Sequence, residues 1–190
     1  MLNKKFWQEA LATQSAFDVN RRVIIGQAAD ALHLSKQAIF ALHRADLKEA
    51  QEKLDLARQI LAALEKQHGG DHLLLDEGSW KAAFEEFVEA SLFNAYCNGK
   101  EIGEIEGLSI GAEQYIGGLS DLCGEIVRHM VGLTVDKKFD EVMKAREVIV
   151  DIIHELMQAN LTGYLRTKFD QAKRHWQKAE EIVYDISIRR

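Results

Sequence analysis

The chain contains no proline in 190 residues. Proline punctuates loops and is excluded from helix interiors, so its absence leaves long helices uninterrupted. Cysteine is nearly absent too. Cys97 and Cys123 lie among helix-patterned residues without metal-knuckle spacing, which excludes a disulfide scaffold and points to two reduced, buried thiols. No apolar run approaches the ~18 residues that a membrane span needs. The opening MLNKKFWQEA lacks the apolar centre of a signal peptide, so a cytoplasmic protein is expected. Positive charge is in deficit: the formal net charge is −6, so a nucleic-acid site has to be a local basic patch.

What is present is globular. A composition 47% hydrophobic and 28% charged excludes the disordered class, and the length suits one domain spanning 1–190 with ample core. Strand-like alternation is missing, whereas apolar residues recur at helical spacing: Val23, Ala28, Ala31, Leu32, Leu34, Ala38, Ile39 and Leu42 form the first clear stripe. Helices are predicted over roughly residues 3–44, 47–67, 78–98, 111–132, 136–159 and 163–187. Asp46 with Glu49 resembles a capping box, and Gly69 and Gly70 a C-terminal cap pair. The stretch NGKEIGEIEGLSIG, Asn98 to Gly111, is the main loop. The expected fold is an all-α bundle of about six or seven long helices.

The chemistry starts with two acidic helix faces. Around FEEFVEASLF, Phe84 to Phe93, residues Trp80, Phe84, Phe87, Val88 and Leu92 make an apolar stripe, which leaves Glu86 and Glu89 together, about 60° apart, on another side. In YIGGLSDLCGEIVRHM, Tyr115, Leu119, Leu122, Cys123, Ile126 and Met130 face the core, while Gly118, Asp121, Glu125 and Arg128 share the opposite face. If the acidic sides meet, four carboxylates converge, which is unfavourable unless a divalent cation neutralises them. Carboxylate-only ligation selects a hard ion, Mg²⁺ or Mn²⁺. Gly118 would leave room beside that ion for a bulky backbone, and Arg128 would meet a phosphate. Acidic pairs at this spacing are also ordinary solvated surface, and Gly117 and Gly118 equally fit close helix packing; spacing alone leaves these alternatives open.

The segments SKQAIFALHR, EFVEASLF, YIGGLSDLCGEIVRHMV and AEEIVYDISIRR, in that order, resemble the translin and TRAX family of nucleic-acid-binding proteins, from about Asp30 to Arg189. The resemblance implies an all-α protein assembled into a hollow octameric barrel, with nucleic acid inside. In the TRAX branch an E-x-x-E and a D-x-x-x-E motif hold Mg²⁺ for endoribonuclease activity. Here Glu86 and Glu89 match the first and Asp121 and Glu125 the second, which marks them as catalytic and metal-holding residues. The C-terminal segment is closer to translin, the loop after the E-x-x-E helix is short, and no basic nuclear-import cluster is present. That mixture implies a homo-oligomer, an octamer, in which one chain both binds and cuts RNA, with single-stranded DNA as a further possible ligand.

Cationic contacts to RNA are expected from Arg21, Arg22, Lys36, His43, Arg44, Arg128, His129, Lys137 and Lys138, each of which alone also reads as a solvated charge. The run RTKFDQAKRHWQK, Arg166 to Lys178, is the strongest local concentration of basic residues and fits an interface or a solvated face. Two metal-like spacings, Glu65 to His68 and Asp151 to His154, fall short of a di-iron bundle, which needs two E-x-x-H motifs. Three function classes remain. They are the Mg²⁺-dependent endoribonuclease, a non-catalytic RNA or single-stranded DNA-binding oligomer, and an all-α nucleoside-triphosphate pyrophosphohydrolase. The last shares E-E-x-x-E at Glu85, Glu86 and Glu89 but lacks here its second motif, E-x-x-D.

Overall fold

The computed structural model describes residues 1–68, 70 and 76–189. Among them are six helices and no strand: α1 (Lys4–His43), α2 (Leu47–His68), α3 (Gly78–Cys97), α4 (Ala112–Val135), α5 (Phe139–Gln158) and α6 (Gly163–Arg189). Their ends lie within a few residues of the expected ones. Helix starts are written locally. Asn3 caps α1 by accepting from the Phe6 amide at 3.2 Å, and Asp46 accepts from the Glu49 amide at 2.9 Å at the start of α2. The expected capping box is only half made, because the Glu49 carboxylate turns to Arg44 at 2.5 Å. Gly69, one of the expected cap pair, lies outside the described residues.

α1 packs on α2 and α3, α3 on α4, and α4 on both α5 and α6. The core runs through Ile24, Ala28, Ala31, Leu42, Leu61, Leu64, Phe87, Phe93, Leu122, Ile126, Met130 and Ile149, all 2% exposed or less. The loop between α3 and α4 is held down by Ile102, Ile105, Leu108 and Ile110 against this core, and by the Tyr115 hydroxyl donating to the Gly103 carbonyl at 3.0 Å. Cys97 and Cys123 are both free thiols, pushed up to about 12 by burial. No helix among the described residues is long and apolar enough to cross a membrane.

α1 outruns the bundle. Its 40 residues make a rod of about 60 Å, yet its first buried residue is Ile24. The preceding turns expose Phe6 at 69%, Trp7 at 51% and Leu11 at 49%. An isolated helix segment of this length is marginal in water, and exposed large apolar side chains, with Trp7 and Leu11 one turn apart, mark it for association.

Candidate functional site at the α3–α4 crossing

The site is built where α3 crosses α4, and the glycines decide how closely. A Cβ on Gly118 would stand 2.7 Å from Val88 Cγ1, 2.8 Å from the Glu85 carbonyl oxygen and 2.9 Å from the Glu89 amide nitrogen. Of the two readings of these glycines, close packing is therefore the correct one: Gly118 meets the backbone of α3, and the expectation that it leaves room beside a metal is corrected. Gly117 is similar, since a Cβ there would fall 2.0 Å from Glu85 Oε2. At Gly124 the space is taken by the His175 ring from α6, 3.1 Å from where a Cβ would be.

This crossing brings together the acidic faces read from the sequence. Glu89 is pushed up to about 9, first by burial and then by the charges of Glu86, Asp121 and Glu125. Glu86 is raised by burial, with Lys36 opposing and Asp121 and Glu125 reinforcing. Asp121 is raised by burial against the pull of Lys168. Carboxylates from two helices thus oppose one another's ionisation, as expected of like charges sharing a poorly solvated place.

Cations answer them unequally. Lys36 lies 3.7 Å from Glu86, His43 is hydrogen-bonded to Glu125, and Arg128 stands 3.9 Å from Glu125. Lys168 reaches from α6 to Glu85 at 2.8 Å and to Asp121. Burial works against its charge, but the two carboxylates outweigh burial and hold it protonated. Tyr164 donates to Glu85 at 2.6 Å. Among the described residues Glu89 has neither a hydrogen-bond nor an ion-pair partner, and no three His, Cys, Asp or Glu side chains are drawn together as a metal-binding group. The donor set suits a hard cation in type and in excess negative charge, while the side chains as placed are paired with lysine and histidine instead.

The expected basic residues divide. Lys36, His43 and Arg128 belong to the site, and Arg44 adjoins it through Phe40. That ring, 55% exposed, lies under two guanidiniums, Arg44 at 5.0 Å and Arg128 at 6.0 Å. His129 turns inward, edge-on to Phe93 and Tyr96, and burial lowers its pKa; it is a packed ring. Arg21 is taken by Glu77 at 2.6 Å, about 22 Å along α1 from Lys36, and Arg22 is its neighbour in sequence. Lys137 and Lys138 form the turn after α4, with Lys137 at φ 60°, about 15 Å or more beyond Glu125. Glu65 and His68 do not join a metal site: the Glu65 carboxylate accepts from the Ser109 amide at 3.0 Å, and His68 is buried.

Sequence reasoning missed Lys168, Glu85 in this role, Tyr164, His175 and Phe40. A signal existed for two of them. Lys168 and His175 stand at the spacing of the buried Ala172 and Ala179, so the basic run Arg166 to Lys178 carries a seam turned toward α4. The remaining basic residues of the run behave as solvated charge, with Arg166 at 3.3 Å and Lys173 at 2.7 Å from Asp170, and Lys178 at 2.9 Å from Glu181.

Comparison with known proteins agrees with this architecture. No curated protein matches the chain. Among solved structures, the crystal structure of apo-NeC3PO is similar with a TM-score of 0.86 at 19% identity, covering 97% of each chain. The crystal structure of AfC3PO gives 0.85 at 20% identity over 97% of this chain and 98% of that one. The AfC3PO–duplex RNA complex gives 0.84 at 19% identity over 97% of each. At these identities the likeness establishes the fold. The Translin family model matches residues 20–190, nearly the whole chain, and the chain belongs to the Translin family.

Proposed function

We propose that this chain is a metal-dependent endoribonuclease that works as a homo-oligomer and cleaves RNA at Glu86, Glu89, Asp121 and Glu125. The observation that carries the reading is Glu89. A carboxyl held near 9 by burial and by three neighbouring carboxylates, and left without a partner, is the residue a hard cation would relieve. The similarity to a C3PO seen with duplex RNA supports RNA as the substrate class, and the exposed α1 arm supports self-association, for which an octamer is the proposed form.

The four carboxylates would hold Mg²⁺, or Mn²⁺; when bound, such an ion polarises phosphate oxygens and makes a water nucleophilic near neutral pH. The chain's own groups do the rest. Arg128 and Arg44 present guanidiniums that can take a phosphate in forked geometry. Phe40 between them offers a face on which a base stacks. Lys36 balances Glu86, and His43 fixes the orientation of Glu125. An unpartnered Glu89, protonated until charge arrives nearby, is poised to take a proton once it ionises.

A second reading, an RNA-binding oligomer without turnover, is favoured by the pairing of Glu86, Asp121 and Glu125 with Lys36, Lys168 and His43. Labelled RNA incubated with the protein in Mg²⁺ and in EDTA separates the two. Internal cuts that vanish in EDTA and fall about 10²-fold or more in Asp121→Asn, with RNA binding kept, support the nuclease. Binding without cuts under every condition establishes the second reading.

A further inference from the structure

Resting on the metal-dependent reading above, we infer that Lys168 is the resident cation of the carboxylate site. Its ammonium keeps the place between α3 and α4 until a divalent ion displaces it, and once displaced it becomes a contact for the RNA phosphate.

Three features set Lys168 apart from an ordinary surface ion pair. Its side chain is 15% exposed, against 36% for Lys173 and 60% for Lys178 on the same helix. It bridges carboxylates of two different helices, Glu85 of α3 at 2.8 Å and Asp121 of α4. The backbone has also been cleared for it. Glu85 Oε2 lies over Gly117, where a Cβ would come within 2.0 Å, so any side chain at 117 would push the Glu85 carboxylate off its course. The glycine secures the Glu85 end of the bridge, as Tyr164 does by donating to the same carboxylate at 2.6 Å.

Asp121 serves one charge at the expense of the other. Lys168 binds Asp121 Oδ2, and a cation held by Asp121 would compete for that oxygen while repelling the ammonium at short range. Lys168 already stands over the Tyr164 ring, 5.5 Å from its centroid, a cation–π contact that it keeps, with Glu85, when it leaves Asp121. There, balanced by one carboxylate instead of two, the ammonium faces a bound polyanion. A bridge with a purely structural role makes the opposite demand: its loss would loosen the carboxylates and leave cation affinity unchanged or weaker.

The test is a calorimetric Mg²⁺ titration of the metal-stripped full chain. Lys168→Met is expected to bind Mg²⁺ at least about tenfold more tightly than the unmodified protein, because one competing charge is gone; Lys168→Arg should stay near the original value. Lys168→Gln also removes the charge but leaves a polar side chain facing Glu85 and Asp121, so it should tighten Mg²⁺ binding likewise, and it carries the test if Lys168→Met does not fold. A second readout is the salt dependence of binding to uncleavable 2′-O-methyl RNA. With Mg²⁺ present the log–log slope of Lys168→Met should be about one unit shallower than that of the unmodified protein, and in EDTA the two should agree. Mg²⁺ affinity that is unchanged or weaker in both Lys168→Met and Lys168→Gln overturns the proposal and leaves the nuclease reading intact. Mg²⁺ binding by Lys168→Met but not by the unmodified protein overturns both, because an ion that never binds the unmodified chain cannot displace its lysine. Binding by neither removes both.

Discussion

Replacing Glu89 by Gln keeps the side chain's shape and removes its titration, and the structure predicts a stability gain that depends on pH. Glu89 in the folded chain is raised from 4.5 to about 9. Between those values the unfolded chain has lost the proton and the folded chain still binds it. The slope of unfolding free energy with pH, 2.303RT(νU − νN), is then negative, so this group lowers stability as pH rises from about 4.5 toward 9. At pH 7.5 the folded-state shift has been traversed for about three units, which at 1.36 kcal/mol each gives an upper bound of ~4 kcal/mol. The carboxyl is only partly buried and shares its shift with three neighbours, which reduces the figure to roughly 1–2 kcal/mol.

Thermal melts in EDTA should therefore show Glu89→Gln and the unmodified protein nearly alike at pH 5. At pH 7.5 the variant should melt about 2–8 °C higher, since 1 kcal/mol moves Tm by ~2–4 °C in a chain of this size. Groups common to both proteins cancel in the difference. Added Mg²⁺ should then raise the unmodified protein and leave Glu89→Gln nearly where it was, because only the first regains a full set of ligands. A difference in Tm that is the same at both pH values, or a variant less stable at pH 7.5, would refute the convergence of these carboxylates.

Gly118→Ala places a methyl within 2.9 Å of the α3 backbone, so α3 and α4 must separate; a loss of about 1–3 kcal/mol in denaturant unfolding is expected, together with loss of RNA cleavage. Phe40→Ala should weaken binding of single-stranded RNA by about tenfold or more in a fluorescence titration, the worth of one stacked base, while Phe40→Trp restores it; equal binding by all three proteins removes Phe40 from the RNA path. Trp7→Glu and Phe6→Glu should lower the mass seen by light scattering, because they charge the exposed face of the α1 arm, without changing the helical circular dichroism of the bundle. An undiminished mass would place self-association elsewhere.

The all-α architecture was legible because nothing in the chain opposes it: no proline interrupts the helical stripes, and each stripe carries its own period, which places helix ends to within a few residues. The acidic faces of α3 and α4 were legible for the same reason, since i, i+3 and i, i+4 spacing is a property of one helix. What lies between helices was harder. Gly118 looked like space for a ligand but is space for a backbone, a distinction that depends on which neighbour occupies it. His129 and Arg21 are indistinguishable in sequence from Lys36 and His43, yet one is folded inward against Phe93 and the other is taken by Glu77 at the far end. Lys168 shows the limit most clearly. Its local sequence is a basic run in which only the spacing to Ala172 and Ala179 sets it apart, and the docking of α6 on α4 decides what it meets. There it meets Asp121 and Glu85, whose own approach is set by the glycines of the α3–α4 crossing. The carboxylates are thus written in the spacing of single helices, and their counter-charge in the packing of three.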